Sequence, residues 1–241
     1  MLPASHERIE ATLSDADLVL DVGGWGKPFP RADWVIDLMP FETRGLYGRL
    51  GDAPERFSRE TWVQRDICDR EPWPFADGQF DYVVCSHTLE DVRDPVWVCA
   101  EIDRVGRAGY IEVPSRLEEQ SVGVHGPWVG WSHHHWLVSV SPQGVEFVFK
   151  SGVLQGRPDF TLPAELGRAL DDGERVQTLF WEGGLRASER VFVQPDELDR
   201  YLAQGVAGAR ERLESRVQRP RRRSGVRRAL ARIRGTRGGR G

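Results

Sequence analysis

Residues 17–38 read DLVLDVGGWGKPFPRADWVIDL, and this stretch decides the fold. Its apolar run at 18–22 is short and rich in valine and leucine, which predicts a buried strand. A glycine cluster at 23–26 follows, and a second apolar run at 34–36 ends at Asp37. Glycines just past a strand let the backbone approach a ligand, and an acid after the next strand can accept hydrogen bonds from ribose hydroxyls. The stretch therefore predicts a nucleoside-binding α/β crevice, with a plain packing turn as the alternative.

Further strands and a helix continue the pattern downstream. Apolar runs predict strands at 62–64, 80–86 and 109–113. A helix is predicted at 94–105, because an Asp-Pro pair is a typical helix start and apolar residues then recur with helical spacing. The acids Glu90 and Asp91 before it are expected to be solvated or to cap the helix start. Strands that alternate with helices or loops indicate a parallel sheet in an α/β fold.

The second half of the chain mixes short strands with helices. The segment 123–136, GVHGPWVGWSHHHW, is rich in Gly, Trp and His, and a β-hairpin is predicted after it at 137–149. Beyond the hairpin we predict strands at 176–181 and 190–193 and helices at 163–170 and 195–217.

Composition separates a basic terminus from an acidic body. The chain has 241 residues and a net charge of -4. Residues 207–241 carry thirteen arginines against two glutamates, a net charge of +11, which leaves -15 for residues 1–206. We predict a core domain at 1–152, a C-terminal α+β extension at 153–218 and a disordered basic tail at 219–241. The tail could bind an anionic partner, have no partner, or fold against the body. The acidic body argues against nucleic acid as the main substrate.

The apolar runs and the cysteines indicate the cellular compartment in which the protein is expected. No run approaches the ~18 apolar residues of a membrane span, and the start of the chain lacks an apolar signal region. The cysteines at 68, 85 and 99 form no CxxC pair and no metal-ligand spacing, so free thiols in a reducing cytosol are expected. A cytoplasmic protein without a transmembrane segment is predicted.

Four pieces of sequence together resemble the class I S-adenosylmethionine-dependent methyltransferases, in the branch called type 11. They are LVLDVGG at 18–24, Asp37, RDICDREPWPFADGQFDYVVCSHTLEDV at 65–92 and DPVWVCAEIDRVGRAGYIEVPS at 94–115. The third piece is the most specific: it orders an acid, a W-P-F loop, an F-D turn, a hydrophobic strand and Ser-His-x-Leu-Glu. The resemblance fades after Val113. It implies a Rossmann-like, doubly wound sheet and S-adenosylmethionine as the cofactor.

The resemblance also implies roles for individual residues. The methionine end of the cofactor would contact Asp21, Gly23 and Gly24, and the ribose would contact Asp37. The adenine would lie beside Asp66 and Ile67. Ser86 and His87 would form the floor of the site. Three of these residues have structural alternatives: Asp37 as a loop cap, Asp66 as a turn residue, and His87 as a wall histidine or a base. One departure from the family is clear, because the residues 24–33 between the first two strands are too few for the helix normally found there.

Three consecutive histidines stand at 133–135. On an extended segment neighbouring side chains alternate, so at most His133 and His135 share a face. One of these two is the candidate general base, since neutral imidazole can take a proton from a substrate hydroxyl. Metal binding needs more ligands, and only His125 and scattered acids are near in sequence, so no metal is predicted. The alternative is a packed loop under the neighbouring tryptophans.

The function predicted is methyl transfer to a small-molecule or glycan acceptor. The acceptor atom would displace the methyl group from the sulfonium, with alignment and desolvation supplying the acceleration. Tryptophans of 114–136 could stack on a sugar or an aromatic ring. A nicotinamide-dependent oxidoreductase is disfavoured, because no tyrosine has a lysine four residues later and no G-x-G-x-x-G is present. The remaining alternative is a non-catalytic cofactor-binding protein of the same fold that docks through its arginine-rich tail.

Overall fold

The computed structural model describes residues 1–218. The predicted basic tail at 219–241, with the anionic partner suggested for it, lies outside those residues. The helices are α1 Pro3–Thr12, α2 Pro95–Val105, α3 Arg116–Glu119, α4 Ala164–Arg168, α5 Asp172–Arg175 and α6 Pro195–Gln218. The strands are β1 Val19–Val22, β2 Trp34–Asp37, β3 Trp62–Gln64, β4 Tyr82–Ser86, β5 Ala108–Pro114, β6 Trp136–Ser141, β7 Gly144–Phe149, β8 Val176–Glu182 and β9 Ala187–Glu189.

Six strands form the central sheet, in the order β3-β2-β1-β4-β5-β8. The first five are parallel to their neighbours, and β8 runs antiparallel to β5. The strand order reverses between β1 and β4, and ligand crevices in such sheets open at this switch point. The predicted Rossmann-like, mostly parallel sheet is confirmed.

Helices and loops cover both faces of this sheet, because neighbouring side chains on a strand point to opposite sides. On β1, Leu20 packs in the same cluster as Ile102 of α2. Its neighbour Val19 packs in a second cluster with Ile9 of α1. The carboxylate of Asp94 accepts a hydrogen bond from an amide in the first turn of α2, as the Asp-Pro pair predicted. The sheet therefore packs between two apolar layers, one on each face, and the candidate site lies at its carboxyl edge.

No helix lies between β1 and β2. The chain crosses from one strand to the next through a loop in which Phe29 is buried and donates its backbone N–H to Asp21 Oδ2 at 2.8 Å. Pro28 and Pro30 flank Phe29 and offer no N–H for helical hydrogen bonds. The spacing predicted this short connection. The Asp21 carboxylate fixes the loop by accepting the Phe29 N–H.

The segment 153–218 contributes to both sheets. Strand β8 pairs with β5 along seven positions, from Ala108 opposite Glu182 to Pro114 opposite Val176. Trp181 of β8 packs in the same apolar cluster as α2. The division of the chain at residue 152 stays a prediction, but this segment supplies an edge strand of the central sheet.

A second sheet has the order β6-β7-β9. The predicted hairpin at 137–149 is present as β6 and β7, which pair antiparallel. The strand predicted at 190–193 is wrong: the strand is Ala187–Glu189, parallel to β7. Val191 and Val193 are 72% and 82% exposed, so of the apolar side chains in this run only Phe192 packs against the core.

Among residues 1–218, none of the helices is both long enough and apolar enough to span a membrane.

Candidate functional site

The residues that the sequence singled out converge at the carboxyl edge of the central sheet. Strands β1, β2, β4 and β5 are parallel and adjacent, so their C-terminal ends meet there. Asp37 ends β2, Ser86 ends β4, and Glu112 lies opposite Ser86 on β5. Residues far apart in sequence therefore line one crevice.

The glycine turn after β1 has no room for side chains. Gly23 has φ +74°, and a Cβ built on it would overlap the side chain of Thr88. Its N–H donates to Ile36 O at 2.9 Å, which fixes the turn against β2. A Cβ on Gly24 would overlap the carboxylate of Asp21. Both glycines are thus required by close packing against Thr88 and Asp21.

Asp21 is a buried carboxyl group at the centre of this edge. Burial raises its pKa to about 7, the N–H of Phe29 opposes that shift, and the nearby charge of Asp37 adds to it. The group therefore changes charge near neutral pH. A cation bound beside it would favour the ionised form.

Asp37 is nearly buried and holds two loops by their backbones. Its Oδ2 accepts the N–H of Trp25 at 3.0 Å, and its Oδ1 accepts the N–H of Met39 at 2.7 Å. Burial raises its pKa despite these two donors. The loop-cap role named as an alternative is therefore present. Each carboxylate oxygen can accept a further hydrogen bond, so the ribose role is compatible with the cap.

Asp66 lies beside the adenine end implied by the resemblance. Its Oδ1 accepts the N–H of Cys68 at 2.9 Å and its Oδ2 pairs with Arg93 Nη1 at 2.6 Å. Burial opposes ionisation, but Arg93 and the Cys68 amide lower the pKa of Asp66. Ile67 is buried next to it. Asp66 therefore has the structural role of a turn residue that was the alternative to adenine binding. An adenine amino group would have to displace Arg93 from Asp66, and this costs little because the ion pair is exposed to solvent.

His87 is held between two buried glutamates. It has φ +54°, its Nε2 donates to Glu112 Oε1 at 3.0 Å, and its Nδ1 lies 3.4 Å from Glu90 Oε1. Burial opposes the charge, but the hydrogen bond to Glu112 and the nearby carboxyl group of Glu90 raise the pKa of His87 to about 9. The ring is therefore an imidazolium at neutral pH. Of the two alternatives for His87, the geometry matches a wall histidine better than a base.

The sequence analysis missed Glu112 and misjudged Glu90. Glu112 also accepts from Tyr110 Oη and Leu2 N, and although burial opposes it, the His87 and Tyr110 hydrogen bonds lower its pKa to about 2. A glutamate inside the apolar run GYIEVP was the available signal. Glu90, expected to be solvated, is 1% exposed, and neither carboxylate oxygen has a hydrogen-bond partner among the described residues. Its burial follows from the 133–136 segment, which covers it.

The histidine loop is not extended. Ser132 and His133 lie in a turn, and this turn breaks the alternation on which the prediction relied. The two imidazoles beside Asp91 are consecutive: His133 Nε2 is 3.9 Å and His134 Nε2 is 3.7 Å from Asp91 Oδ1. His135 is exposed, and its N–H donates to the backbone of Glu90. The extended geometry behind the pairing of His133 with His135 is therefore absent, and the two imidazoles within 4 Å of Asp91 are those of His133 and His134.

A cavity of about 530 Å³ lies against the start of α2. Its lining includes Arg93, Trp97 and Trp136. Arg93 is also the partner of Asp66, so the cavity adjoins the implied adenine end of the crevice. It is a recess with aromatic walls in which arginines and acidic residues both occur, among them Arg70, Asp94 and Glu189.

Replacing His87 by asparagine is expected to remove a pH dependence of stability. Because the pKa of His87 rises from 6.5 to about 9 on folding, its stabilisation is complete below pH 6.5 and disappears as the pH rises through 9. Asparagine tolerates positive φ and does not titrate. The free energy of unfolding of the wild type should fall by about 1 kcal/mol across this window, since solvent screening of the partly exposed ring reduces the effect. Urea unfolding of both proteins at pH 6 and pH 9.5 measures this, and an equal fall in His87→Asn would remove His87 as the cause.

Comparison with known proteins gives one family match. A family model described as a methyltransferase domain matches residues 49–111, about a quarter of the chain. No curated protein matches. These 63 residues include β3, β4, α2 and the segment that carries Asp66, Ser86 and His87.

Solved structures show more distant similarity. A Bacillus halodurans protein provisionally named a methyltransferase is 21% identical, with 46% of this chain and 50% of that chain covered and a TM-score of 0.35. An S-adenosylmethionine-dependent methyltransferase from Mesorhizobium loti is 13% identical, with 60% and 63% covered and a TM-score of 0.33. The chain therefore spans about half to three fifths of the length of these two structures.

Proposed function

We propose that this chain is a class I methyltransferase of the type 11 branch, which transfers a methyl group from S-adenosylmethionine to a small-molecule or glycan acceptor. The methyltransferase domain match at residues 49–111 and the mostly parallel central sheet support this proposal. The observation that carries the proposal is Asp37. It stands at the carboxyl end of β2, next to a glycine turn without room for side chains, and it keeps acceptor capacity after capping two loops. A carboxylate in this position suits a ribose diol.

The other residues divide the cofactor between them. Asp21 with the backbone of Gly23 and Gly24 would hold the methionine end, and Asp66 with Ile67 the adenine. When bound, S-adenosylmethionine supplies an electrophilic methyl group on a sulfonium cation. The residues of this chain supply position and a matched charge, which is most of what such a displacement requires.

The floor of the site carries balanced charges. The His87 imidazolium lies between Glu112 and Glu90, and the N-terminal ammonium of Met1 is 3.1 Å from Glu112 Oε1. Ser86 Oγ also donates to Glu112, at 3.4 Å. This leaves Asp21 as the acid that would face the sulfonium cation.

The acceptor would bind on the tryptophan side of the edge. The ring of Trp131 stacks on His125 and on His134, and Trp128 is 51% exposed. Flat aromatic surfaces bind sugar faces and aromatic rings, which supports the acceptor class proposed. His133 or His135 remains the proposed base for the acceptor proton.

Two measurements on the purified wild type test the function. Calorimetric titration should show that S-adenosylmethionine binds and that NAD does not. Incubation with the cofactor and cell-extract metabolites should add the mass of one methyl group to a sugar-containing or aromatic compound. Binding without any methylated product would favour the non-catalytic alternative, and binding of NAD alone would contradict the proposal.

A further inference from the structure

We propose that Asp91, His133 and His134 form a binding site for one divalent transition-metal ion of the Zn²⁺ type. The three groups offer one carboxylate oxygen and two imidazole nitrogens, all within 4.8 Å of one another. Ligand atoms about 2.0–2.2 Å from a single Zn²⁺ lie roughly 3–3.6 Å apart. The observed 3.7 and 3.9 Å from Asp91 Oδ1 to the two imidazoles need only small side-chain shifts to reach that spacing.

The orientation of His134 is the second observation. Its Nδ1 is 2.7 Å from Oε1 of Glu119, a carboxylate that is 1% exposed. An imidazole that donates from Nδ1 to a carboxylate presents the lone pair of Nε2 on its other side, and metal-binding histidines are commonly held in this way. In His134 that other nitrogen is the one nearest to Asp91.

Lys150 holds the supporting glutamate in place. Its Nζ donates to Glu119 Oε2 at 2.6 Å and to Trp131 O at 2.7 Å. Glu119 thus has one oxygen for the lysine and one for His134, which leaves it to orient the ring rather than to bind an ion itself. The chain contains only two lysines, and this one is committed to a buried position.

The donor set and its exposure indicate the class of ion. Two imidazoles favour zinc, cobalt, nickel or copper over magnesium and calcium, which prefer oxygen ligands. His133 and Asp91 are 53% and 41% exposed, so an ion would keep positions open to solvent. Three protein ligands with an open position are typical of catalytic rather than structural sites. An acceptor hydroxyl could take that position and lose its proton more easily there, a step that rests on the proposed function.

This inference departs from the prediction of no metal. That prediction assumed an extended histidine segment and acids only near in sequence, whereas a turn brings two adjacent imidazoles to an aspartate from the loop after β4. It also gives His133 the role of a ligand in place of a base. The two roles differ in response to a chelator, because a base works without the ion.

The test measures metal binding directly. The full chain, stripped with EDTA, is titrated with Zn²⁺ by calorimetry and with Co²⁺ by visible absorption. One ion should bind per chain, and Asp91→Asn and His134→Ala should each weaken binding at least ~10-fold. Glu119→Gln should weaken it ~10–100-fold while all three ligands remain. His135→Ala, a change to the next histidine outside the group, is the control and should bind as the wild type does.

Several outcomes would overturn the site. They are absence of binding, binding that survives both Asp91→Asn and His134→Ala, and equal loss in His135→Ala. If His134→Ala does not fold, the partly exposed Asp91→Asn decides alone. Cofactor titration in EDTA is run separately, so a failed metal site and a failed methyltransferase assignment give different results.

Discussion

Asp37→Ala is expected to weaken S-adenosylmethionine binding by about 2–3 kcal/mol, or roughly 30–150-fold, because charge-assisted hydrogen bonds to the ribose are lost. Calorimetric titration of both proteins measures the change. The variant also leaves the N–H groups of Trp25 and Met39 without their acceptor, so part of the loss could come from the loops.

A second variant separates these two causes. Asp37→Asn keeps one carbonyl oxygen for a loop amide but loses the charge and one acceptor. If ribose binding is the role of Asp37, Asp37→Asn should fold with near-native circular dichroism, although its melting temperature should fall because one loop N–H loses its acceptor. It should still bind the cofactor at least ~10-fold more weakly. Native affinity in a folded Asp37→Asn would show that the residue is only a loop cap.

Gly23→Ala is expected to lower the free energy of unfolding by about 2–4 kcal/mol. Two penalties add: an L side chain at φ +74°, and overlap of the new Cβ with Thr88. Gly78→Ala is the matched control. Gly78 has φ +60°, but the nearest atom to its Cβ would be Arg107 Nε at 3.7 Å, so only the backbone penalty of about 1–2 kcal/mol applies.

Urea unfolding of the three proteins gives both values. The difference between the glycine variants isolates the contact between the β1 turn and Thr88. Equal destabilisation by Gly23→Ala and Gly78→Ala would show that the turn can move away from Thr88. In that case the close packing at the switch point would not constrain the cofactor edge.

The local elements were predictable because each has a short-range cause. The strand, the glycine turn and Asp37 lie within residues 17–38, and the Asp-Pro cap of α2 depends on neighbours in the same turn. The short β1–β2 connection followed from counting residues. The family resemblance added the Rossmann-like, mostly parallel sheet, which the structure confirms, whereas the strand order came from the structure.

Other features depended on contacts between distant residues. His87 meets Glu112 across 25 positions of sequence, and that contact changes its charge at neutral pH. Strand β8 joins the sheet antiparallel to β5, although its own sequence does not specify a partner. The run at 190–193 has strand-like composition, yet in the part of the chain that the structure describes it forms no strand and leaves both of its valines exposed.

The histidine loop shows most clearly which features follow from the sequence and which follow from the tertiary structure. The sequence by itself determined that three imidazoles lie together after the fifth strand, and it determined the sheet, the glycine turn and the acid that ends β2. Only the tertiary structure decided which imidazoles face Asp91 and that Glu119 orients one of them. The physical reason is that strand and helix periodicities are local properties of the backbone, whereas the charge and hydrogen bonding of a side chain depend on whichever distant residues the fold packs against it.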